Sequence, residues 1–214
     1  MANSNWKVVE VNHHPPEELF TNLKKVKLTN ELSNIDIYAD AKISLKFFDP
    51  NHLSPAQNYI HINELNKIDH LSHELKRHNV DLFTLNGYIT IKTETPCNDT
   101  LEEIDVLPPV VEFSEEDNGQ HHKIINDGMH RVALARLECS LIQTIYIEDI
   151  PTEYPYYAYP RPTGWNGIEM VNYTEFPADY NKKWHRLPYP HYKNLFRNFN
   201  SAFLAKSQPR KRKD

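Results

Sequence analysis

The chain has 214 residues, 39% of them hydrophobic and 25% charged, with a formal net charge of −5. That furnishes an apolar core of ordinary size, and the acidic balance argues against a broad nucleic-acid-binding face, which needs a basic stripe. Two cysteines, Cys97 and Cys139, at no metal-like spacing exclude a disulfide framework or zinc ribbon, and the lack of any apolar run of membrane-spanning length or of an apolar run behind Met1 leaves the cytoplasm as the expected setting.

Pro15-Pro16 lead into a predicted helix over residues 17–28, with Leu19, Phe20, Leu23 and Val26 on one face. Short strands follow over 35–38 and 43–48, and Asp49-Pro50 and Ser54-Pro55 punctuate the chain. Residues 59–62 read as a strand, after which Asn63 caps a helix carrying Leu65, Ile68, Leu71 and Leu75 at helical spacing. Two Asn-Gly pairs come next, and each predicts a hairpin because both residues tolerate positive φ. The first, Asn86-Gly87, would join 82–85 to 88–92; the second, Asn118-Gly119, would join 110–114 to 121–126 across the acidic loop 115–117.

The stretch 124–138, IINDGMHRVALARLE, changes its period in the middle. Ile124 and Ile125 close a β-like run, Gly128 relieves a sharp corner, and Met129, Val132, Ala133 and Leu137 then recur as on a helix. A strand-to-helix corner of this kind presents the first backbone N–H groups of the helix, at the positive end of its dipole, to a phosphate or carboxylate. Arg131 adds a permanent planar fork of donors, and His130 can donate a hydrogen bond or move a proton near neutral pH. Each residue also has a plain structural role: Asp127 as N-cap, Gly128 as turn residue, Arg131 as a solvated first-turn side chain.

These residues resemble the signature of the ParB/sulfiredoxin-like superfamily, a strand, an Asp-Gly-x-His-Arg box and a helix, over about residues 58–150. The opening IHINELNKIDHLSHEL, the hairpin of LPPVVEF with HHKIIND, and the closing LIQTIYIEDI are similar to the flanking elements of that family. The resemblance implies an α+β core with a small mixed sheet and packed helices, and a box that binds nucleotide phosphates through Gly128, Met129, His130 and Arg131. Met129 stands where sulfiredoxins carry their catalytic cysteine, which argues against that reaction. The box is closest to that of the free-serine kinase branch, Asp-Gly-His-His-Arg, which implies phosphoryl-transfer roles for Asp127 and His130 and a base near the first strand and helix, for which Glu64 is the nearest candidate.

That reading implies ATP or ADP, with CTP as an alternative, and a magnesium ion brought by the phosphates and held by Asp127, with Asp105 and Glu112 as remote candidates; a small hydroxyl-bearing molecule would be the acceptor. A metal held by protein ligands alone is not expected despite twelve histidines, since adjacent strand residues such as His121 and His122 point to opposite faces. No Walker-type loop, kinase triplet or nucleophile elbow occurs. Two other classes stay open: a ParB-like nucleotide-regulated DNA-binding or nuclease-type module, and a catalytically silent member whose box only caps a helix.

Strand 142–148 ends the core, and beyond Pro151 the composition shifts to proline and aromatic residues, with eight tyrosines and two tryptophans over 151–192. At that density the aromatics predict an ordered arm wrapped over the core. Within it Arg161, Thr163, Gly164, Trp165 and Asn166 make a polar, aromatic loop, and Arg161, Trp165 and Asn166 are the candidate wall of a substrate pocket. A helix over 194–206 and a disordered basic tail over 207–214 complete the expected organisation: N-terminal extension 1–57, core 58–150, arm and helix 151–206, tail.

Overall fold

A three-stranded antiparallel sheet and a four-stranded mixed sheet frame the molecule, and a strand-to-helix corner at the edge of the larger one opens on a cavity. The computed structural model describes residues 6–29, 35–95, 98–172 and 183–204, and the fold is α+β. In chain order the elements are β1 (Lys7–His14), α1 (Pro16–Leu23), β2 (Lys27–Leu28), β3 (Lys42–Phe48), β4 (Tyr59–His61), α2 (Ile62–Arg77), β5 (Tyr88–Thr95) and β6 (Asn98–Val106). They continue with β7 (Val110–Glu115), β8 (His121–Asp127), α3 (Met129–Leu137), β9 (Ile142–Glu148), β10 (Glu169–Val171) and β11 (Arg197–Asn198).

The central sheet has the order β3-β9-β7-β8, with β9 antiparallel to β3 and parallel to β7. β9, IQTIYIE, is apolar on both faces, as a strand covered from both sides must be: Ile142, Ile145 and Ile147 are fully buried. Each such side chain contributes roughly 1.5–3 kcal/mol by leaving water. The hairpin across Asn118-Gly119 forms as its sequence predicts, pairing Val111 with Ile125 and Glu115 with His121. From β8 the chain turns at Gly128 into α3, whose Met129, Val132, Ala133 and Ala135 pack into a core shared with Leu65, Leu71 and Leu75 of α2.

The other Asn-Gly pair does something else. Residues 82–85 form no strand, and β5 pairs instead with β1 and β6 in a three-stranded antiparallel sheet of order β1-β5-β6. Gly87, at φ +112°, is where β1 meets the turn: a Cβ there would stand 2.0 Å from the His14 carbonyl oxygen. The signal therefore marked a close approach of two backbones rather than a tight hairpin.

The expected helix over 17–28 stops at Leu23, and Lys27–Leu28 pair with Arg197–Asn198. The α2 helix starts two residues earlier than Asn63 as cap implied, with His61 at the capping position. The C-terminal helix over 194–206 does not form among the described residues: single 3-10 turns at His191–Leu195 and Phe199–Ser201 flank β11. An isolated helix of that length is marginal, and sheet pairing with β2 together with the burial of Arg197 outweighs the local pattern. The expected basic tail and Cys97 lie outside the described residues. Among those described, no helix is long and apolar enough to cross a membrane.

Candidate functional site

The corner between β8 and α3 is set by one glycine. Gly128 is the N-cap of α3 at φ +83°, ψ 23°, a left-handed conformation that relieves the turn. Its carbonyl accepts from the Arg131 and Val132 N–H groups at 2.9 and 3.0 Å, closing the first turn of the helix. A Cβ at this position would lie 2.9 Å from the Pro109 Cα and Cβ and 3.0 Å from Arg131 Nη2, so the glycine also lets the segment leading into β7 approach. The capping role expected for the Asp127 side chain is thus taken by the backbone conformation of Gly128, and Asp127 turns to Arg131, whose Nη2 donates to its Oδ2 at 3.3 Å.

A cavity of about 750 Å³ opens at this corner. It brings together Asp127, Gly128, Met129, His130 and Arg131 of the box with Glu64 from the first turn of α2, residues 63 or more positions apart in sequence. Asp105, Asn126 and Tyr157 also face it, as do residues 196–200 from the chain's last described segment.

Arg131 is the unusual member. It is 6% exposed, its Nη1 is buried with no hydrogen-bond partner among the described residues, and Asp127 is its ion-pair partner at 3.3 Å. Burial pushes the guanidinium below its ordinary pKa, and the Asp127 carboxylate offsets part of that. A buried cation with a donor left over costs free energy unless something arrives to accept it.

His130 is held differently. The His61 backbone N–H donates to its Nε2 at 3.2 Å, and the two imidazoles stack with centroids 6.3 Å apart and planes 14° from parallel. A ring nitrogen that accepts cannot carry the proton, so in the neutral ring the proton sits on Nδ1. Met129 is 8% exposed and belongs to the core, which leaves its backbone N–H as the group it can offer a ligand.

The loop residues lie elsewhere. The Trp165 indole donates to the Pro50 and Leu53 carbonyls at 2.8 and 3.1 Å and lies under Arg136, packing the arm on the core. Arg161 lines a separate groove beside Glu116 and stacks on Trp184 at 5.0 Å, and Asn166 is exposed on a 3-10 turn. None of the three lines the cavity at the box. The arm does reach that cavity, through Tyr157 and residues 196–200, which sequence reasoning had assigned to packing or to a helix.

The remote magnesium candidates are already engaged. Glu112 is 1% exposed and accepts from Arg197 Nε and Nη2 at 2.9 Å each, from the Tyr38 hydroxyl at 2.6 Å and from Asn126. Asp105 accepts from the Thr90 hydroxyl at 2.6 Å and the Leu204 N–H at 2.8 Å. Glu112 is therefore withdrawn from any ligand role: it neutralises a buried guanidinium. Among the described residues no three His, Cys, Asp or Glu side chains converge as a protein-only metal site.

A family model described as the ParB CE domain matches residues 18–169, which include α1, the central sheet, α2, the box and α3. The chain belongs to the ParB CE domain family. No curated protein and no solved structure matches it. The family match ends before residues 196–200, so that wall of the cavity is supplied by a part of the chain the family model does not describe.

Proposed function

We propose that this ParB CE domain protein binds a nucleoside di- or triphosphate with its phosphates at the corner from Asp127 to Arg131, and that it transfers or hydrolyses a phosphoryl group there. The observation that carries the reading is the unpartnered Nη1 of the buried Arg131 on a cavity that also receives the N-terminus of α3. A phosphate oxygen would accept from that N–H and from the first-turn amides together, and both interactions are stronger in a cavity than in water.

Asp127, Glu64 and Asp105 are the carboxylates that line the cavity, and Asp105 is taken up by Thr90 and the Leu204 N–H. Asp127 would hold a magnesium ion, which needs only one or two carboxylates and would neutralise phosphate charge. Glu64 would take the proton of an acceptor hydroxyl or water as its oxygen bonds to the terminal phosphorus and the bond to the leaving nucleotide, a diphosphate from a triphosphate or a monophosphate from a diphosphate, breaks. His130, whose Nε2 accepts from the His61 N–H at the end of β4, would present its imidazole to the transferring group. These roles keep ATP or ADP, or CTP, as ligand and a small hydroxyl-bearing molecule as acceptor.

Thermal unfolding with ATP, ADP, CTP and GTP, with and without magnesium, tests the reading. Wild type should be stabilised by at least one of them, and Arg131→Ala should abolish the shift while melting as a folded protein. Retention of the shift in that variant would sink the assignment. Turnover of the bound nucleotide, followed by phosphate release or by its transfer to a hydroxyl acceptor, separates an enzyme from a nucleotide-regulated module.

A further inference from the structure

Resting on that nucleotide reading, we propose that residues 196–200 form the base-recognising half of the site, with Asn198 and Asn200 reading the nucleobase edge and Phe196 and Phe199 supplying its apolar wall. The cavity of about 750 Å³ is within the usual size of small-molecule pockets and exceeds what a phosphate chain alone would fill. The box brings polar and charged groups to it, Arg131 beside the Asp127 and Glu64 carboxylates. Apolar side chains line it too: Ile68 and Leu71 of α2, and Phe196, Phe199 and Tyr157 from the C-terminal part of the chain. A ligand charged at one end and flat and aromatic at the other satisfies both halves, and a nucleotide is such a molecule.

The segment is also held rigid enough to discriminate. Arg197, between Phe196 and Asn198, spends all five N–H donors: Nε and Nη2 on the two Glu112 oxygens at 2.9 Å, Nη1 on the Leu195 and Pro155 carbonyls at 2.6 and 3.1 Å, and Nη2 also on the Tyr154 carbonyl at 2.9 Å. The Phe196 carbonyl accepts from the Thr29 N–H at 2.8 Å, and Asn198 pairs with Lys27. The backbone that carries the flanking side chains is thereby held before any ligand arrives, which lowers the ordering cost of binding. A carboxamide offers a donor and an acceptor side by side, the pattern that complements the edge of a base. Arg197 is here a positioning residue; Asn198 and Asn200 are the recognition residues.

The test is isothermal titration of the full chain with ATP, GTP, CTP and inorganic tripolyphosphate, in wild type, Asn198→Ala, Asn200→Ala and Arg131→Ala. Asn200 is exposed and Asn198 half-buried, so both alanine variants should fold, which their melting curves verify. The expected result is a loss of about tenfold in affinity for the preferred nucleotide in an asparagine variant, a reduced preference among the three bases, and tripolyphosphate affinity within about twofold of wild type. Equal losses for tripolyphosphate and nucleotides, or no loss in either asparagine variant, would overturn the base wall and leave the phosphate reading standing. Undiminished tripolyphosphate binding by Arg131→Ala would overturn the phosphate reading and the base wall with it.

Discussion

Two arginines, Arg131 at the box and Arg197 at the arm, are buried to nearly the same degree, 6% and 8% exposed, and differ in how completely their donors are used. Arg197 has an acceptor for every N–H, two of them the oxygens of a carboxylate that is itself buried. Burial pulls its pKa down, but the Glu112 charge outweighs that and leaves it above its ordinary value. Arg131 has one weak ion pair to a partly exposed Asp127 and a buried N–H with nothing to receive it. Saturation marks a joint; an unused donor on a residue that lines a cavity marks a place for something else. Burial alone would not have told them apart.

The comparison can be broken most severely at the joint. Arg197→Ala leaves Glu112 as an uncompensated buried charge beside Tyr38, whose own hydroxyl burial pushes well above its usual pKa, and should cost about 3–5 kcal/mol in denaturant unfolding. The pair replacement Arg197→Met with Glu112→Leu should cost clearly less, because no charge is stranded. At the box the expectation reverses: Arg131→Ala should change stability by less than about 1 kcal/mol, since Asp127 keeps water, yet weaken phosphate-bearing ligands by about 3 kcal/mol in titration calorimetry. Should Arg131→Ala prove as destabilising as Arg197→Ala, both would be joints and the distinction would fail.

Gly128→Ala sharpens the same point from the backbone. Its left-handed φ and the 2.9 Å approach to Pro109 predict a loss of about 2 kcal/mol by thermal or denaturant unfolding, together with loss of ligand binding, because the corner itself must shift. The smallest effect belongs to Arg186, half-buried and forked on Glu116 at 2.6 and 2.7 Å. Burial raises the Glu116 pKa, but Arg186 pulls it further down, so it stands below 4.5 in the folded state. A depressed carboxyl contributes stability above its unfolded pKa and loses it as pH falls through the folded value. Unfolding free energies measured from about pH 6 down to about pH 3 should therefore fall less steeply in Glu116→Gln than in wild type, by under about 1 kcal/mol.

What could be read from the chain followed from how local each signal is. Strand 142–148 and helix α3 were legible because Ile142, Ile145, Tyr146 and Ile147 make a β-branched and aromatic run and because Met129, Val132 and Ala133 recur at helical spacing. The box was legible because Asp127, Gly128, His130 and Arg131 are contiguous. Strands β1 and β6 were not, since their pattern is diluted by charge and each is stabilised by pairing with β5 rather than by its own residues. Tyr157, Phe196, Asn198 and Asn200 escaped for the same reason: nothing near them in sequence marks a cavity wall.

The sequence by itself determined the chemistry at the corner: a glycine for the turn, an imidazole and a guanidinium within one helical turn, an α+β alternation around them. Only the tertiary structure decided which carboxylates could serve that corner, turning Glu112 into the counter-ion of Arg197 while bringing Glu64 to the cavity. It also decided that the arm reaches the box through residues 196–200 rather than through Trp165. The physical reason is that charge type and turn geometry are properties of neighbouring residues, whereas saturation of a buried donor depends on acceptors arriving from segments far apart in the chain.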